Sequence, residues 1–72
     1  MTQWPSTRAR RVYRALLRIG WVPLSQTGSH VKLRHRESKY PDYIWAFHEK
    51  EEIGPRMLVR IAKHTGLQSS DL

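Results

Sequence analysis

Gly28-Ser29-His30-Val31-Lys32-Leu33-Arg34-His35 is the stretch whose alternation decides the fold. From His30 onward polar and apolar residues alternate with period two, the mark of a strand with one buried face. Val31 and Leu33 fall on one side and His30, Lys32 and Arg34 on the other. Apolar side chains seek the core, so Val31 and Leu33 are expected to pack under helices, leaving His30, Lys32 and Arg34 together on an open face. Upstream, Ser25 to Gly28 reads as a turn, with Gly28 free to take positive φ. Trp21-Val22-Pro23-Leu24 reads as a short strand before it. Pro23 has no N–H to give to a ladder, which puts that strand at a sheet edge.

Working outward, residues 6–19 carry a helical pattern. Ala9, Val12, Tyr13, Leu16, Leu17 and Ile19 share one broad face, and Arg10, Arg11, Arg14 and Arg18 gather opposite. Ser6 is the expected N-cap and Gly20 the C-terminal stop. On the other side, residues 36–42 form a polar loop ending in Tyr40-Pro41-Asp42. A third strand is expected over Tyr43-Ile44-Trp45-Ala46-Phe47-His48, apolar on both faces. If Tyr43, Trp45 and Phe47 point inward, Ile44, Ala46 and His48 join His30 on the open face. Residues 49–54 are an acidic loop. Pro55 opens a second helix with Met57, Leu58, Ile61 and Ala62 as its inward stripe, Gly66 stops it, and Leu67 packs back. The order is α-β-β-β-α: an α+β chain with one three-stranded antiparallel sheet and both helices on one face.

Length and charge bound the function. Seventy-two residues suffice for a single domain, expected to span 1–72, with a small core. Thirteen Lys and Arg against six Asp and Glu leave a net charge of +7, which calls for a polyanionic or acidic partner. Cysteine is absent, so neither disulfides nor thiolate metal sites are available, and a reducing, cytoplasmic setting is expected. The first five residues show no apolar core of a signal peptide, and no apolar run approaches a membrane span.

Four histidines deserve comparison: 30, 35, 48 and 64. Their spacings match no closed zinc site, so no metal and no cofactor is expected. His64 falls in the last turn of a helix, where a cation suits the dipole. His35, between Arg34 and Arg36, reads as a surface residue. His30 differs, because it follows a Gly-Ser turn and shares a face with Lys32 and Arg34. An imidazole exchanges protons near neutral pH, and two cations beside it suit a phosphate. That trio fits RNA cleavage, with His30 as base or acid; it also fits a phosphate contact without catalysis. Ser29 adjoins His30 but points to the opposite face, so adjacency alone makes no Ser-His pair.

The triplet Gly28-Ser29-His30 after a basic helix, the strand end Ala46-Phe47-His48, and Ile53-Gly54-Pro55 leading to Ile61-Ala62-Lys63-His64-Thr65-Gly66-Leu67 resemble HicA-type toxins of bacterial toxin–antitoxin systems. The resemblance runs from Thr7 to Leu67. It implies a double-stranded-RNA-binding-like fold and metal-independent cleavage of mRNA that blocks translation. It makes His30 the catalytic residue and implies an acidic HicB-type antitoxin that covers the site; Gly28, Ser29, Lys32, Arg34 and His48 are the candidate substrate contacts. Two departures stand out: Ala46 sits where the family usually has proline two residues before the second histidine, and the 36–42 loop is long. The same basic surface also suits a non-catalytic double-stranded-RNA-binding module, or a degenerate toxin that only pairs with its antitoxin.

Overall fold

The alternation of residues 30–35 is realised as the central strand of an antiparallel sheet. A computed structural model describes residues 4–72, so the reading of Met1–Gln3 as free of a leader lies outside it. The elements run β1 (Thr7–Arg8), α1 (Ala9–Arg18), β2 (Trp21–Thr27), β3 (His30–His35), β4 (Tyr43–Trp45), β5 (Glu52–Ile53), α2 (Pro55–Thr65) and a 3₁₀ turn (Ser69–Asp71). The sheet order is β2-β3-β4. Strand β2 is therefore an edge, as Pro23 requires. Its register slips between Pro23 and Ser25, a bulge at Leu24 that lets the strand continue to Thr27. The turn thus narrows to Gly28-Ser29, with Gly28 at φ +61°.

One face of this sheet carries the core. Trp21, Leu33 and Trp45 pack with Ala9, Val12, Ala15 and Leu16 of α1 and Leu58 and Ile61 of α2. Val22, Leu24 and Ile44 on the other face stay exposed, so both helices cover the same side. The core reads through the α1 spacing 9, 12, 15, 16, an i, i+3, i+6, i+7 stripe. On α2 the buried positions are Leu58, Ile61 and Thr65, while Met57 is displaced outward and exposed. Thr65 takes the inward place because its hydroxyl donates to the Ile61 carbonyl (2.7 Å), which satisfies it within the helix.

Three local expectations need correction. Ser6 does not cap α1. The first free N–H groups of the helix instead meet carbonyls from the loop ahead of β5: Ala9 N–H to Glu51 (2.7 Å) and Arg10 N–H to Glu49 (3.1 Å). Residues 7–8 are drawn into a short antiparallel ribbon with residues 52–53, which leaves the helix to start at Ala9. The third strand stops at Trp45 rather than His48. Finally, His35 is buried, not on the surface. Its Nδ1 accepts from the Glu37 N–H (3.1 Å) and its Nε2 lies 3.2 Å from the Ile19 carbonyl, an arrangement that suits the Nε2–H tautomer. It also packs edge-on against Trp21 and Tyr40. The strict alternation of β3 already puts position 35 on the side of Val31 and Leu33.

Gly66 ends α2 in the left-handed region, at φ +77°, with its N–H on the Ala62 carbonyl. A Cβ there would strike the Tyr40 hydroxyl and lie 2.8 Å from Tyr40 Cζ. Gly66→Ala is accordingly expected to lower stability by about 2 kcal/mol, from positive φ and overpacking together. Chemical denaturation would measure this, and Tyr40→Ala in the same background should recover part of the overpacking share.

Candidate functional site on the open sheet face

Strand β3 carries His30, Lys32 and Arg34 on its solvent side, and all three are exposed. The register sets Lys32 between Ser25 and Ile44, Arg34 opposite Val22, and His30 opposite Thr27 beside the hairpin tip. The His30 ring forms no hydrogen bond or ion pair among the described residues, so both its nitrogens remain open to an incoming group.

The two cations are not free. Arg34 forks onto Asp42, Nε to Oδ1 at 3.0 Å and Nη2 to Oδ2 at 2.9 Å, and Lys32 Nζ stands 3.8 Å from the same carboxylate. The Arg34 hydrogen bonds hold Asp42 below the usual carboxylate range, and Asp42 in turn raises the Arg34 guanidinium. The depressed carboxyl favours the fold above its unfolded pKa, and that contribution fades as pH falls through the folded value. Since the pair is exposed, its effect on stability is small. Its main consequence is electrostatic: a carboxylate already occupies the guanidinium fork, so an incoming anion has to displace it. On the expectation that RNA is the ligand of this face, Asp42→Asn should steepen the salt dependence of its binding, by about 0.7 in the slope of log K against log salt for each cation released onto a single strand. Titrations at several salt concentrations check this, and an unchanged slope would show that Asp42 does not compete.

The remaining residues singled out from the sequence lie elsewhere. His48 does not join His30. The chain leaves the ladder after Trp45, and His48 lines a groove of about 370 Å³ on the helix side of the sheet with Arg10, Tyr13, Arg14, Gln26, Ser29, Phe47 and Glu49. Ser29, in the hairpin turn, lines that groove, whereas His30, the first residue of β3, stands on the face opposite Val31. Gly28 takes positive φ at the tip, and its carbonyl accepts from the Gln26 side-chain N–H (3.0 Å). His64 lies in the last turn of α2 and stacks on Tyr43, whose hydroxyl burial pushes up.

On α1 the arginines form an exposed ridge with Arg8, lining a second hollow together with Leu72. Three of them already serve the protein: Arg8 donates to the Lys50 carbonyl, Arg11 to Leu72 and Arg18 to Asp71. Arg10 and Arg14 have no such partner among the described residues. No three side chains among the described residues converge as His, Cys, Asp or Glu ligands, and no described helix is long and apolar enough to cross a membrane.

Asp42 is the member of the open face that sequence reasoning passed over. It comes from a polar loop whose path is not periodic, and only the turn Tyr40-Pro41-Asp42 hinted that the chain reverses there.

Comparison with known proteins returns one finding. The family described as HicA toxin of bacterial toxin–antitoxin systems matches residues 9–67, from the first residue of α1 to Leu67 just past α2. No curated protein and no solved structure matches. The matched span contains the whole β2-β3-β4 sheet, both helices and the His30 face. With that fold and that span, the chain belongs to the HicA toxin family of bacterial toxin–antitoxin systems, and an antitoxin partner is implied.

Proposed function

We propose that residues 1–72 form a single toxin domain that cleaves mRNA without a metal, with His30 as its general acid or base. The observation that carries this reading is the exposed His30, without a partner among the described residues, on one face with Lys32 and Arg34 in a chain of this family. Cleavage by transesterification asks for a proton to leave the 2′-hydroxyl, the 2′-oxygen to bond phosphorus, the phosphorus–O5′ bond to break, and a proton to reach the leaving 5′-oxygen. Imidazole serves one of the two proton transfers. Lys32 and Arg34 face the phosphate oxygens, where charge builds, once a phosphate displaces Asp42 from the fork. Gly28 and Ser29 hold His30 at the tip of the hairpin, within reach of a strand passing over it. His48 takes part through the adjoining groove rather than at the proton transfer.

The antitoxin of this reading is acidic and of the HicB type. It covers the open face, where Val22, Leu24 and Ile44 supply an apolar contact around a basic centre. The site of action is the cytoplasm, where mRNA is translated.

Purified protein incubated with end-labelled mRNA in EDTA should produce fragments ending in 2′,3′-cyclic phosphate. RNA that stays intact under saturating binding would make the chain a binding module instead, and absence of both binding and cleavage would make it a degenerate toxin.

A further inference from the structure

We propose that the groove between α1 and the β2–β3 hairpin is a subsite for one unpaired RNA base bearing N–H donors, adjoining the nucleotide at His30. The inference rests on the reading of the chain as RNA-directed. Four observations favour a nucleotide there. The half-buried Phe47 ring packs against Trp45 (centroids 4.9 Å apart), and Tyr13 packs against Trp45 from α1 (5.6 Å), so the groove has an aromatic wall. Bases stack on such rings whatever their identity. Arg10 and Arg14, one turn apart on α1, flank that wall, and they are the α1 arginines left without a protein partner among the described residues. Guanidinium groups so placed suit the phosphates on either side of a seated base.

The third observation concerns Glu49, which lines the same groove and forms no ion pair among the described residues. Its backbone carbonyl accepts the Arg10 N–H, which ties it to the start of α1. An ionised carboxylate only accepts, so it selects a base that presents adjacent donors, as guanine does with N1–H and its amino group. The same carboxylate repels an acidic side chain, whereas a neutral base with N–H donors meets it favourably. The fourth is continuity. Ser29 lines the groove and the next residue, His30, stands on the opposite face, so a strand leaving the groove past the hairpin tip passes directly to His30. A volume of about 370 Å³ lies within the size range of small-molecule pockets, roughly 300–1,000 Å³.

Fluorescence anisotropy with the His30→Ala protein, which keeps RNA intact, tests this using two labelled hexamers: one of uridine only, and one with a single central guanosine. The guanosine hexamer should bind about tenfold more tightly, and adding Glu49→Gln should bring the two within about twofold of each other. Arg10→Gln with Arg14→Gln should weaken both hexamers by about tenfold, whereas removing the same charge at the exposed Arg56 and Arg60 should cost about threefold or less. A preference that survives Glu49→Gln, equal losses from the two arginine pairs, or tighter capture of a polyglutamate peptide than of either hexamer would overturn the subsite. If any of these occurs while the wild-type protein still cleaves mRNA, only the subsite falls. If neither hexamer binds and mRNA stays intact, the RNA reading falls with it.

Discussion

His30→Ala is expected to lower the rate of RNA cleavage by about 100-fold or more, the usual worth of a positioned general acid or base. Induced in a host lacking the antitoxin, the variant should leave growth at the uninduced rate, whereas the wild-type chain should arrest it. The loss should come without unfolding. His30 is exposed and lies outside the core cluster, so thermal melting should move by no more than a degree or two. RNA affinity should also largely survive, because Arg10, Arg14 and the other exposed cations lie elsewhere. A variant that binds normally, melts normally and fails to cleave would separate chemistry from scaffold. Equal toxicity of both chains would remove His30 from the mechanism.

The second large effect concerns the scaffold. Trp21 is 1 % exposed and sits where β2 meets both helices. Its indole N–H donates to the Thr65 carbonyl at the end of α2 (3.1 Å), and its ring packs against His35, Tyr40 and Tyr43. Trp21→Ala leaves a cavity and an orphaned buried carbonyl, a loss of about 3–5 kcal/mol. A chain of this size has little to spare, since net stabilities of domains run about 5–15 kcal/mol and small ones lie low in that range. Melting should fall by roughly 15–30 °C or the cooperative transition should vanish. Trp21→Phe keeps most of the ring and loses the hydrogen bond, so its cost should be nearer 1–3 kcal/mol. Circular dichroism melts distinguish the two, and near-equal losses would mean that the cavity matters less than the Thr65 bond.

The reach of the sequence can be traced through particular residues. The period of β3 located His30, Lys32 and Arg34 together because a half-buried strand writes its facing into every second residue. The glycines at 20 and 66 marked the helix ends because both take positive φ. The short ribbon of Thr7–Arg8 with Glu52–Ile53 left no trace, since two residues carry no period. The outer half of β2, Ser25-Gln26-Thr27, is polar on both faces because it is an exposed edge, and it therefore looked like a turn. His35 was misplaced by its charged neighbours, although its parity pointed inward. At the site, Asp42 reaches Lys32 and Arg34 across a loop, and His48 swings toward α1 once the ladder ends. Both depend on where the chain turns in three dimensions, which no local pattern records.

In the proposed reaction His30 transfers a proton during RNA cleavage. Single-turnover cleavage of an end-labelled mRNA by wild-type and His30→Ala proteins of equal fold, in EDTA, tests it most directly. Proton transfer by His30 requires 2′,3′-cyclic phosphate ends from the wild type and a rate at least about 100-fold lower from His30→Ala. Equal rates from the two proteins would contradict it.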